Sequence, residues 1–186
     1  MLSDADKKTL LSLARETMEA VLARRPRPEL KDPNPALLQP RASFVSIHEG
    51  DRLRGCIGTF SDRTPLWQTV REMAGAVLRD PRFLDHPVTA EELPHVEIEI
   101  SALTPLEKTA DPMKEIELGR HGICIEGPMG NGCFLPQVAT QTGWTLPEFL
   151  SHCCAGKAGI PPDAWKDPDV TVFRFEAEVF GEKDIA

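Results

Sequence analysis

The sequence predicts an α+β protein with an antiparallel or mixed sheet and flanking helices. Three observations carry this: two hairpin patterns, helices opened by capping sequences, and no regular alternation of strand with helix. The hairpin patterns centre on Glu49-Gly50-Asp51 and on the Gly-Pro-Met-Gly-Asn-Gly run that begins at Gly127, where glycine accepts a positive φ and the chain can reverse. A parallel doubly wound fold would need a strand-helix-strand rhythm, which is missing. Residues 1–186 read as a single domain of two interleaved subdomains that share a cleft.

Each element follows from local chemistry. Ser3 followed by Asp6 has capping-box spacing, and Leu10, Leu11, Ala14, Met18, Val21 and Leu22 recur at helical intervals, so an amphipathic helix runs to about Arg24. Five prolines between Pro26 and Pro40 remove amide donors and favour extended backbone, making 26–40 a wrapping connector. Ala42 to His48 and Arg52 to Gly58 form the first strand pair. Thr64 and Pro65 supply an N-cap and first turn for a helix with Leu66, Val70, Met73, Ala74 and Val77 on one face, stopped at Asp80-Pro81.

Thr89 to Glu92 is a second capping pattern, cut short by Pro94. Beyond it, Val96, Ile98, Ile100 and Ala102 alternate with Glu97, Glu99 and Ser101, a strand with one buried and one wet face. Gly122 to Gly127 and Gly132 to Pro136 form the second hairpin, and Thr145 with Glu148 caps a third helix through about Lys157. Thr171 to Val179 alternates as a long antiparallel strand.

Composition excludes several classes. With 41% hydrophobic and 27% charged residues the chain has enough apolar side chains to build a core, which excludes disordered and fibrous proteins. A net charge of −8 and the lack of a Lys/Arg block argue against nucleic acid as a partner. No apolar run approaches the roughly 20 residues of a membrane span, and Ser3, Asp4 and Asp6 near the start do not suit an export signal. The expectation is a cytoplasmic protein without membrane partners. Its cysteines, five at irregular spacing, are expected to be reduced thiols.

The most informative segment is Arg52-Leu53-Arg54-Gly55-Cys56-Ile57-Gly58. Strand alternation would put Arg52, Arg54 and Cys56 on one face, where guanidinium groups favour thiolate over thiol. Gly55 and Gly58 would let a ligand or another backbone approach closely. The competing reading is a structural cysteine beside a glycine-marked bulge. Arg79-Asp80-Pro81-Arg82-Phe83 is either an anion-binding loop, with Arg82 as ligand, or a helix stop with surface ion pairs. His86 and His121 are candidate proton carriers or satisfied structural histidines.

Cys124 and Cys133 face each other across the second hairpin, as a redox pair or as small packed hydrophobes. Glu97 and Glu99 share a face as acid-base candidates or as the solvent side of a strand. Phosphate-loop, dinucleotide and serine-hydrolase motifs are absent, as is a spaced Cys/His zinc set, so neither a metal nor a cofactor of the chain's own is expected.

Leu53-Arg54-Gly55-Cys56-Ile57-Gly58 resembles the signature of the AMMECR domain family, whose prokaryotic members include the AmmeMemoRadiSam system A proteins. Arg79 to Phe83, Glu97 to Ser101, Gly119 to Gly122, Leu135-Pro136-Gln137-Val138-Ala139 and Ala158-Gly159 through Trp165 follow in the family's order. Around Cys153-Cys154-Ala155-Gly156-Lys157 the chain holds one more residue than the family's Cys-x-Lys-Ala-Gly pattern.

The resemblance implies two subdomains with the Cys56 segment near their cleft, and partnership with a radical S-adenosylmethionine protein and a Memo-like protein, which would supply any iron chemistry. The chain is then expected to be a component of their modification pathway acting on a small or tethered substrate. Cys56 would be nucleophile or covalent carrier, Arg54 its stabiliser and His121 or His86 the proton carrier; Gly55, Gly58, Arg82 and Gln137 would contact substrate. The alternative is a noncatalytic adaptor or regulatory module for the same partners.

Overall fold

The computed structural model describes residues 1–184, and the chain divides into two compact units. The first comprises Met1–Leu103 and the chain from Glu178 onward; the second is Thr104–Ala177.

In the first unit, α1 (Asp4–Leu22) opens with the expected capping box between Ser3 and Asp6. After the proline-rich connector and the short α2 (Pro35–Leu38), β1 (Ser43–Glu49) and β2 (Arg52–Thr59) form a hairpin turned at Gly50, whose φ is +59°. α3 (Leu66–Val77) and two 3-10 turns, Pro81–Phe83 and Leu93–His95, precede β3 (Glu97–Leu103), which pairs antiparallel with β1. Val45, Ile47, Ile98 and Ile100 bury one sheet face against Leu10, Leu13, Ala14 and Met18 of α1 and Val70, Ala74 and Val77 of α3. Removal of this much branched apolar surface from water is the main force holding the unit together. Thr64 does not cap α3; Pro65 is the N-cap, and the Thr64 hydroxyl bonds instead to Thr69 at 2.9 Å.

The second unit holds β4 (Glu107–Lys108), α4 (Pro112–Glu115), β5 (His121–Gly127), β6 (Gly130–Phe134), α5 (Pro136–Thr142), α6 (Leu146–Cys153) and β7 (Thr171–Gly181). β7 lies between β4 and β5, and β5 pairs with β6, all antiparallel. Ile123, Ile125 and Phe134 pack on Phe149, Leu150, Cys153 and Cys154. β7 then carries the chain back, so that its end, with Phe180, joins the first unit's core.

Several expectations are corrected here. The second hairpin turns on Pro128-Met129 alone, because β5 and β6 pair as far as Gly127 and Gly130. α5 starts where a strand was expected to end, with Pro136 in a first helical position that needs no amide donor. Cys124 and Cys133 are register partners with Cα atoms 4.2 Å apart and are joined as a disulfide, so the expectation of reduced thiols leaves only Cys56, Cys153 and Cys154. The Cys153–Lys157 region forms a π-helical turn, Cys154–Ala158, that widens the end of α6. Among the described residues no helix is long and apolar enough to cross a membrane.

Candidate functional site: a clamped cysteine

The two motifs singled out in the first half of the sequence meet in space. α3 ends at Val77, and Asp80 caps the following 3-10 turn by accepting the Arg82 amide at 3.0 Å. Its other oxygen reaches β2 and accepts the peptide N–H of Cys56 at 2.9 Å. Arg82 closes the loop: its Nε and Nη2 donate to the two Asp80 oxygens at 3.1 and 2.7 Å, and Nη2 also donates to the Cys56 carbonyl at 3.0 Å. Both polar groups of the Cys56 peptide are thus held by one carboxylate-guanidinium pair, the strong fork geometry of arginine on a carboxylate.

Burial decides how firmly this clamp is set. Asp80 is 2% exposed. Burial alone would push its carboxyl up, but the Arg82 side chain, followed by the amides of Cys56 and Arg82, outweighs this and draws it down to about 2. The Arg82 guanidinium is pushed up, first by Asp80 against the opposing effect of burial, with a further contribution from Cys56. Cys56 itself is half-buried and outside any disulfide. A cationic group on the sulfur is the arrangement that favours a thiolate.

The glycines have separate reasons. A Cβ on Gly55 would lie 3.0 Å from both Cγ2 and the carbonyl of Val77, so its absence lets the end of α3 approach the strand and Asp80 reach Cys56. At Gly58 the space is already filled. The Phe44 ring, from the register partner on β1, lies where a Cβ would meet it at 2.1 Å, and it packs edge-on to Phe60 with centroids 5.0 Å apart. Gly58 therefore accommodates an aromatic ring of the chain itself; it was expected to contact substrate.

Arg54 is placed differently from the expectation. The pairing of β1 with β2 slips between Ile47 and His48, so the alternation expected to align Arg52, Arg54 and Cys56 is broken by a bulge. Arg54 is 7% exposed and donates to Glu49 at 2.7 Å, to Glu92 at 3.3 Å and to the His86 carbonyl at 3.5 Å. Its pKa is raised, first by the Glu49 bond, with burial opposing and Glu92 adding to it. The guanidinium bound at Cys56 is that of Arg82, on the carbonyl at 3.0 Å. His86 is exposed on the same loop and contributes its carbonyl to Arg54.

His121 and Gln137 belong to the second unit. His121 is buried at the start of β5, where Nδ1 accepts the Glu117 amide at 2.9 Å. Its pKa is lowered by burial first and then by Arg174 and Arg120, with Glu176 and Glu117 opposing. Gln137 is half-buried near the start of α5. From sequence, Asp80 is part of a helix stop and a candidate anion-binding loop, without a role of its own at Cys56. The signal that could have found its role is an Asp immediately before Pro, a 3-10 N-cap, at the end of a helix packed on the cysteine strand.

An α+β chain of two compact units, with a cysteine strand locked by an Arg-Asp-Pro-Arg loop, is the class of protein this fold and site define. The AMMECR1 family profile matches residues 11–180, and the chain belongs to that family. A protein of Methanothermobacter thermautotrophicus is 39% identical over 97% of this chain and 96% of its own length, and protein MK0488 of Methanopyrus kandleri is 41% identical over 94% and 87%. The crystal structure of the uncharacterized protein PH0010 from Pyrococcus horikoshii is similar to this one with a TM-score of 0.89 at 36% identity, covering 98% of this chain and 94% of that one.

Proposed function

We propose that this protein is a cytoplasmic, cysteine-dependent component of a modification pathway shared with a radical S-adenosylmethionine protein and a Memo-like protein, acting by transfer or hydrolysis on a small or tethered substrate. Cys56 is the nucleophile, and Arg82 stabilises its thiolate or an anionic group of the substrate. The observation that carries this reading is the Arg82 guanidinium, locked to buried Asp80 while it holds the Cys56 carbonyl at 3.0 Å. The other thiols are poorly suited: Cys153 is pushed up to about 12, by burial first and then by Cys154, and burial likewise raises Cys154.

The test combines labelling with genetics. Iodoacetamide at neutral pH should modify native protein at Cys56 and leave Cys153 and Cys154 untouched until the chain is unfolded. Folded Cys56→Ser protein should fail to restore the metabolite profile of a deletion strain. Full restoration by that variant would end the nucleophile reading.

A second reading, a noncatalytic adaptor for the same partners, is favoured by the tying of both polar groups of the Cys56 peptide, which also suits rigid packing beneath an interface. Under it, Cys56→Ser protein would keep both its binding to the purified partners and its cellular activity.

A further inference from the structure

Ser46 is the neighbour of Cys56 across the sheet. It is the Cα partner of Cys56 on one side and of Glu99 on the other, so the three residues form a row across β2, β1 and β3 with side chains on one face. Directly paired residues bring Cβ atoms to about 4.5–5.5 Å, so a rotation about the Cys56 side-chain bond is all that a thiol-to-hydroxyl bond requires. Two positions further along β1, on the same face, His48 Nε2 lies 3.1 Å from Ser46 Oγ, and Glu99 Oε1 lies 3.5 Å from that hydroxyl on the other side. Ser46 is 8% exposed, so its hydroxyl is held among these partners more than by water. His48 is half-buried and lines a cavity of about 600 Å³.

We propose that Ser46 and His48 relay the proton of the Cys56 thiol to solvent, with Glu99 as an alternative acceptor of the Ser46 proton. The proposal rests on the reading of Cys56 as a nucleophile and names the residues that activate it. The S–H bond of Cys56 breaks as its proton passes to Ser46 Oγ, and the Ser46 O–H bond breaks as that proton passes to His48 Nε2. A thiol and a neutral imidazole become a thiolate and an imidazolium, and no electron changes hands. Run backwards, the same path delivers a proton to a leaving group.

The surroundings of His48 can carry the imidazolium charge. Glu97 is its register partner on β3, and the rim of the cavity adds Arg15 and Glu19 from α1, His95 from the turn before β3, and Glu182 with Lys183 after β7. Arg15 is bound to Glu182 and Lys183 to Glu97, so the cations on this rim are matched by acids. At the other end of the row the nearby cation is Arg82, bound to the Cys56 carbonyl at 3.0 Å.

The experiment measures the rate of Cys56 carbamidomethylation by iodoacetamide, a neutral probe, with peptide mass spectrometry from about pH 6 to about pH 10. The proteins are wild type, Ser46→Ala, Ser46→Thr and His48→Gln, each checked for folding by circular dichroism. At about pH 7, Ser46→Ala and His48→Gln should react about tenfold more slowly than wild type, with the difference closing by about pH 10, where hydroxide removes the proton directly. Ser46→Thr, which keeps the hydroxyl, should follow the wild-type profile. Superimposable profiles, or a slowing equal at every pH, would overturn the relay, and His48→Gln carries the comparison if Ser46→Ala does not fold. A wild-type Cys56 no faster than the thiol of an unstructured peptide would instead remove the nucleophile reading itself.

Discussion

Asp80 accepts the peptide N–H of Cys56 at 2.9 Å across 24 residues of chain, from a carboxylate that is 2% exposed. A buried charge is costly unless it is paired and hydrogen-bonded. The Arg82 fork and the Cys56 and Arg82 amides meet that requirement, so the strand carrying the cysteine and the loop carrying the arginine are fixed by one group.

The first prediction is an acid-range dependence of stability. The folded-state value of Asp80 is depressed from 3.8 to about 2. A depressed carboxylate contributes stability above its unfolded value, and that stability is lost as the pH falls from near 4 towards 2. The shift corresponds to about 2 kcal/mol. Urea denaturation of wild type should show this loss across that window, and Asp80→Asn should show a flatter profile with a deficit of about 1–3 kcal/mol at neutral pH. Equal slopes for the two proteins would separate Asp80 from the stability of the clamp.

The second prediction concerns Gly58 and Phe44. Because a Cβ on Gly58 would fall 2.1 Å from the Phe44 ring, Gly58→Ala must displace that ring. The expected cost is about 1–3 kcal/mol by chemical denaturation. In Phe44→Ala protein the obstacle is gone, so adding Gly58→Ala should cost at least about 0.5 kcal/mol less than it does in wild type. Strict additivity would place the strain of the single variant elsewhere.

A third prediction follows from His121. Its folded-state pKa is lowered by burial and by Arg174 and Arg120. The unfolded chain therefore binds the proton more readily, and a penalty absent well above the ordinary value near 6.5 grows as the pH falls through it. The drop in melting temperature between about pH 7.5 and about pH 5.5 should be smaller in His121→Gln than in wild type, even though the variant loses the bond from the Glu117 amide. An undiminished drop would assign the pH dependence to other groups.

The secondary structure was largely legible because its determinants are local. The capping boxes at Ser3/Asp6 and Thr145/Glu148 are complete within a few residues and appear as expected, and strands form where alternation was read, but burial departs from that alternation: Ser101 and Val172 are buried and Val179 is exposed. α5 was missed because Pro136 fits a strand end as well as a helical first turn. The site was legible only in part. Cys56, Gly55 and Arg82 were singled out from their types and spacing and lie together, but the Asp80–Cys56 bond joins elements that local pattern does not connect. Arg54 was assigned to the cysteine's face by assuming an unbroken period of two, which the slip at Ile47/His48 removes. Ser46 and His48 were overlooked because their significance lies in register, which depends on how β1 pairs rather than on β1 itself.

The last prediction separates two glycines of the second unit. A Cβ on Gly132 would stand 2.5 Å from the backbone nitrogen of Ala158, so β6 can lie against the π turn only without a side chain there. Gly156, inside that turn, has nothing within 4 Å of its Cβ position and is not among the glycines with positive φ. Gly156→Ala should therefore stabilise the protein by about 0.5–1 kcal/mol, because alanine restricts the unfolded chain without a clash in the folded one. Gly132→Ala should destabilise it by about 1–3 kcal/mol, because backbone rather than a movable side chain must give way. Melting temperatures of the two variants should move in opposite directions from wild type. A tolerated Gly132→Ala would mean that β6 and the π turn separate freely, and the turn would then have no part in the packing of the hairpin.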